Sequence, residues 1–112
     1  MKITAEERDW ASHLPTRPAE FECECSFFPD RLPWLDLNII CCFHDWAYHI
    51  MDANLEPKSP EWRAWRLKAD RVIRWEIYLA AKPVYGENLA YILAQSMYLA
   101  VRVFGRLGKR LD

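Results

Sequence analysis

No glycine occurs before Gly86, and only two follow it, Gly105 and Gly108. Glycine is the residue that tolerates positive φ and close backbone approach. A glycine-rich phosphate cradle or dinucleotide-binding turn therefore has no place in the first 85 residues. Punctuation falls instead to proline and to helix caps. Thr4-Ala5-Glu6-Glu7 is a capping box and predicts a helix from Ala5 to Leu14, stopped by Pro15 and Pro18. Residues 15–35 hold four prolines and read as an irregular, extended segment pinned by Cys23, Cys25 and Trp34. Asp36 can cap a second helix over about 37–53, and residues 54–60 form a linker. Ser59 as N-cap and Pro60 at the first helical position start a third helix, which runs to Ala81 and is ended by Pro83. A fourth spans Glu87 to Phe104, with Gly105 and Gly108 as terminators. Alternation at period two is absent, so no strand is expected.

The expected fold is all-α: two long antiparallel helices, a short N-terminal helix and an apolar C-terminal one. It occupies one domain over 1–112, with the N-terminal helix and the Cys/Pro-rich segment in 1–36 and the helical core in 37–112. Six Trp, five Tyr and five Phe exclude a disordered chain. The stretch from Leu89 to Phe104 contains Gln95, Ser96 and Arg102, too short and too polar for a membrane span. It suits a core helix, or else a surface that docks on a membrane or a partner.

Net charge is −1, but it is unevenly placed. Residues 1–56 carry 11 acidic and 4 basic groups, and residues 57–112 carry 5 acidic and 11 basic. Two halves that pack with complementary surfaces explain this, as does a basic face for lipid headgroups. The run Arg63, Arg66, Lys68, Arg71, Arg74 winds around its helix, so nucleic acid is not an expected partner. The start, MKITAEERDW, has no apolar core, so no signal peptide is expected and synthesis is expected in the cytoplasm.

At 100° per residue, Leu37, Ile40, Cys41, His44, Tyr48 and Met51 share one face of the second helix, with Asp45 at its edge. Ile39, Phe43, Trp46 and Ile50 form a neighbouring apolar face, and His49 falls with Asn38 and Cys42 on the exposed side. On the third helix, Trp62, Trp65, Ala69, Val72, Ile73 and Ala80 mark the buried face, with Asp70 at its border. A carboxylate there needs a partner. Arg66 or Arg74, each four residues away, can supply one. If the two helices pack antiparallel, Asp70 can instead reach His44.

Cys41-Cys42-Phe43-His44-Asp45-Trp46-Ala47-Tyr48, followed by Lys68-Ala69-Asp70, resembles the active-site signature of the phospholipase A2 superfamily. The spacing is close to that of parvovirus capsid phospholipase domains, with His-Asp-x-x-Tyr and then Ala-Asp. Small uncharacterised phage proteins share the pattern and end in a segment much like Met97 to Gly105. The resemblance covers about residues 37–105. Phe21-Glu22-Cys23-Glu24-Cys25 also matches the start of the calcium loop in the secreted enzymes, where the cysteine at the place of Cys25 is bridged to the one at the place of Cys41.

The resemblance implies His44 as general base, Asp45 as a ligand of Ca²⁺, Asp70 as the group that orients the imidazole, and Tyr48 as its hydrogen-bonding partner. It implies calcium-dependent hydrolysis of phospholipid acyl esters at a phospholipid membrane. The chain departs from the secreted enzymes at Ser26-Phe27-Phe28-Pro29-Asp30, where their calcium loop has glycines. Either another loop supplies ligands, with Asp30 or Glu24 helping, or calcium is not bound. One residue rather than two separates Cys42 from His44. A catalytically inactive phage virion or tail component with the same fold is the alternative. In both readings the chain is virion-associated, with phage structural proteins or its own copies as partners. A small Zn²⁺ protein is the third reading, since Cys23, Cys25, Cys41, Cys42 and His44 offer soft ligands, although without the usual two-residue spacing. The cysteines are thus open to three states: thiols, metal ligands or disulfides.

Overall fold

A computed structural model describes residues 2–21 and 31–111. The described residues form four helices, α1 (Ala5–Ser12), α2 (Asn38–Asn54), α3 (Pro60–Tyr85) and α4 (Glu87–Leu111), and a small hairpin of β1 (Arg31–Leu32) and β2 (Leu35–Asp36). The chain is all-α in class, as its caps and periodicity predict.

The caps of the first and third helices form as written in the sequence. Thr4 Oγ1 accepts from the Glu7 amide at 3.0 Å, and Glu7 Oε1 accepts from the Thr4 amide at 2.9 Å. The Ser59 side chain accepts from the Trp62 amide, with Pro60 in the first turn. At α2 the expectation is corrected: the N-cap is Leu37, without a side-chain cap bond, and Asp36, one residue earlier, accepts from the Asn38 amide through Oδ1 at 2.9 Å.

Several boundaries differ from expectation. The first helix stops at Ser12, short of Leu14, with His13 as its C-cap closing on the Trp10 carbonyl, while the Ser12 hydroxyl and His13 Nδ1 both bond to the Asp9 carbonyl. The third helix passes through Pro83 to Tyr85. Proline there removes one amide from the last turn, and the Gly86 amide still closes on the Lys82 carbonyl at 2.9 Å. Gly86 is the true stop, at φ 86° and ψ 167°, a region that L side chains rarely enter. The Ala90 amide in turn bonds to the Gly86 carbonyl, so one residue joins α3 to α4. The fourth helix continues past Gly105 and Gly108 to Leu111. Interior glycine costs a helix only about 1 kcal/mol, so it does not by itself end one.

The hairpin is the strand pair that periodicity does not register, because two residues per strand are too few to alternate. Its turn has Pro33 followed by Trp34 at φ 61°, and the Tyr85 hydroxyl donates to the Pro33 carbonyl. Trp34 stands 89% exposed at the tip.

The core has two parts. One joins Leu35, Leu37 and Cys41 to Ile73, Ile77 and Ala81 of α3 and to Ala90, Ala94, Met97 and Val101 of α4. Small alanines at the facing positions let α3 and α4 pack along their length. The other joins Ala47, Tyr48 and Met51 of α2 to Trp62 and Ala69 of α3, with Trp10 and Trp65 against it. Trp10 meets Trp65 edge-on at 5.1 Å, and Trp65 Nε1 donates to the Ala47 carbonyl at 2.8 Å. Buried Glu7 pairs with Arg71 at 2.8 Å and fixes α1 on α3.

Two face assignments are corrected. Ile39 is 82% exposed rather than part of an apolar face. Cys42 is buried rather than exposed, and it is disulfide-bonded, a cross-link that helical period cannot register. Among the described residues no helix is long and apolar enough to cross a membrane.

Candidate functional site

The side chains singled out in the sequence meet where α2 crosses α3. His44 and Tyr48 lie one turn apart on the buried face of α2, and Asp70 sits on the facing side of α3, 0% exposed. His44 Nε2 lies 2.6 Å from Asp70 Oδ1. The Tyr48 hydroxyl donates to the same oxygen at 2.5 Å. Along α2 the contact residues rise from His44 through Ala47 to Asp52 while their α3 partners fall from Asp70 through Trp65 to Trp62.

A fully buried carboxylate is costly unless its lone pairs are met. Here a third helix completes the shell. Arg102 of α4 places Nη1 2.8 Å from Asp70 Oδ2. Arg66 of α3 donates from Nε to the Tyr48 hydroxyl at 3.2 Å, and from Nη2 to the Val101 and Arg102 carbonyls at 3.0 and 2.6 Å. Arg66 thus reaches Asp70 only through Tyr48. Arg74, the other intrahelical candidate, turns away to Gln95 and the Tyr98 ring.

Arg102 as a partner of Asp70 is absent from the sequence reading, and Arg66, expected there as a direct partner, instead binds Tyr48 and the end of α4. The available signal was Arg102 itself, the one Lys or Arg in the apolar stretch from Leu89 to Phe104.

The carboxylate can only accept, so His44 Nε2 carries the proton of their hydrogen bond. The other ring nitrogen, Nδ1, has no hydrogen-bond partner among the described residues. Its lone pair is thereby free to take a proton, and the Asp70 charge lies opposite to stabilise the imidazolium that results. The Tyr48 ring packs on His44 with centroids 4.3 Å apart. Burial, and then the Asp70 charge, push the Tyr48 hydroxyl well above the ordinary phenol range against the lowering effect of Arg66. Tyr48 is therefore a permanent donor rather than an acid of the site.

Asp45 follows His44 on α2 and is buried. Cys41 and Cys42 are both disulfide-bonded. Cys23 and Cys25 lie outside the described residues, as do Glu24 and Asp30. Among the described residues there is no group of three or more His, Cys, Asp or Glu that could hold a metal ion. What Asp45 offers is a hard oxygen donor, which fits Ca²⁺ in kind. A sulfur held in a disulfide is not a thiolate, and Zn²⁺ sites of the expected type use thiolates.

The basic run of α3 is turned inward or along the surface. Arg63 bonds to the Lys58 carbonyl, Lys68 lies over the Trp10 ring, and Arg66, Arg71 and Arg74 have the partners already given.

The fold and site define a helical protein with a buried His–Asp pair braced by Tyr and Arg. No protein-family model, curated protein or solved structure matches the chain.

Proposed function

We propose that the chain is a phospholipase-A2-like hydrolase that cleaves phospholipid acyl esters with the help of Ca²⁺. The observation that carries this reading is the bond between His44 Nε2 and buried Asp70, which leaves Nδ1 as a base. Water is the nucleophile. His44 Nδ1 takes its proton as the oxygen attacks the ester carbonyl. Asp70 holds the ring in the productive tautomer and stabilises its positive charge. When the tetrahedral species collapses, the C–O ester bond breaks and His44 returns the proton to the departing alkoxide. The products are a fatty acid and a lysophospholipid.

Asp45 would hold the metal, which when bound supplies positive charge for the oxyanion and the lipid phosphate. The phospholipid membrane is then the partner surface, and a phage particle or its entry or lysis apparatus is the setting.

Hydrolysis of mixed micelles at millimolar calcium tests the reading. Wild-type protein is expected to release fatty acid, and His44→Gln to lose about two to four orders of magnitude in rate. Calcium binding in calorimetry is expected to vanish in Asp45→Asn. A wild-type chain inactive across several headgroups overturns the proposal.

One observation favours a second reading, a virion or tail component without activity. The first 85 residues lack any glycine for a calcium loop, while the His44–Asp70 pair also works as a packing device between helices. Silence in both the calorimetric and the hydrolytic experiment is the result expected of it.

A further inference from the structure

The inner face of α4 is filled by Ala90, Ala94, Met97 and Val101, yet its outer face is also apolar. Leu89, Ile92, Leu99 and Val103 are each more than half exposed. With Ser96 they stand at i, i+3, i+7, i+10 and i+14, the spacing of a coiled-coil seam. A helix does not need this periodicity on a face that meets only water.

The seam is self-complementary about its centre. Measured from Ser96, Leu89 and Val103 lie seven residues to either side, and Ile92 and Leu99 four and three. A second α4 laid antiparallel across the first pairs Leu89 with the partner's Val103, Ile92 with the partner's Leu99, and Ser96 with the partner's Ser96. The small side chain at the crossing allows close approach. Its hydroxyl already donates to the Ile92 carbonyl at 2.7 Å, so it enters an interface without stranding a polar group.

Charge points to the same occupant. Glu87 opens the helix, and Arg106, Lys109 and Arg110 stand in its last turns in sequence. Antiparallel pairing brings the acidic start beside the basic end of the copy, and opposes the two helix dipoles. Parallel pairing would stack the basic ends together. A lipid surface is less well matched, because residues 87–101 contain no Lys or Arg to border the apolar stripe.

We infer that α4 is the interface of a two-fold homodimer in which Ser96 sits at the symmetry axis. This assignment is independent of the proposed chemistry. The stripe is about 21 Å long at 1.5 Å per residue, so the interface is small and association weak, in the range of about 10–100 μM.

Sedimentation equilibrium over that range tests it. The wild-type chain is expected to approach twice the single-chain mass. Leu99→Glu, which buries a charge in the seam, is expected to move the midpoint at least about ten-fold higher with unchanged circular dichroism. Ser96→Cys is expected to form a disulfide-linked dimer on mild oxidation, whereas Ser12→Cys, on α1 and not part of the seam, does not. A wild-type chain that stays monomeric throughout overturns the inference, as does one that dimerises with no effect of Leu99→Glu and no Ser96→Cys cross-link. Monomeric protein that binds vesicles of anionic lipid, with binding lost in Leu99→Glu, also overturns it and assigns the stripe to a membrane.

Discussion

Arg102 of α4 lies 2.8 Å from the Oδ2 atom of Asp70 on α3, the oxygen that His44 and Tyr48 leave open. Three helices therefore share one buried charge. Arg102→Gln removes the cation and keeps much of the bulk. Part of the guanidinium is solvated, so the expected loss is about 1–2 kcal/mol, below that of a fully buried pair. Chemical denaturation checks it. The double variant with Asp70→Asn is expected to lose less than the sum of the single losses, because the two side chains act on one contact.

Stability should fall at alkaline pH through Tyr48. Burial and the Asp70 carboxylate raise its pKa above the ordinary 10.0, with Arg66 opposing. Above 10.0 the unfolded chain gives up this proton while the native state keeps it. The unfolded state then binds fewer protons, so Tyr48's contribution is fully present below 10.0 and declines as pH rises past it. Tyr48→Phe should be less stable at neutral pH and show a shallower decline between pH about 10 and 11.5 in urea melts. An unchanged slope would contradict the assignment.

Arg66 latches α4 through the Val101 and Arg102 carbonyls. Arg66→Met should free this turn while leaving the α3 backbone helical. Hydrogen exchange over residues 98–111 is expected to accelerate by about ten-fold, with little change at the start of α1. Uniform acceleration across the chain would mean global destabilisation rather than release of a latch.

Gly86→Ala isolates backbone strain. A Cβ built there meets nothing within 4 Å, so no clash contributes. The φ of 86° alone should cost about 1–2 kcal/mol. The melting temperature should fall, and the helical content should stay as it was.

The local signals were legible because they are local. Thr4 with Glu7 and Ser59 with Pro60 each set a helix start within one turn of chain, and the structure carries both caps. Ends were read less well. Pro83 carries a bias against helix that packing of α3 on α4 overrides, since a run of buried alanines and Met97 outweighs the loss of one hydrogen bond, while Gly105 carries only the small cost of an interior glycine. The hairpin at Pro33-Trp34 was illegible because its strands are shorter than any period.

By itself the sequence determined that His44 and Tyr48 share a helical face, because a spacing of four fixes that whatever surrounds them. It also determined that Asp70, at the edge of an apolar face, had to find a partner. It could not select among Arg66, Arg74 and His44, since all three satisfy the same local chemistry. Only the tertiary structure decided, by packing α2 and α4 on adjoining sides of α3. It gave one oxygen of Asp70 to His44 and Tyr48 and the other to Arg102, 32 residues away, because a carboxylate cut off from water must be met on every side by whatever the fold brings near.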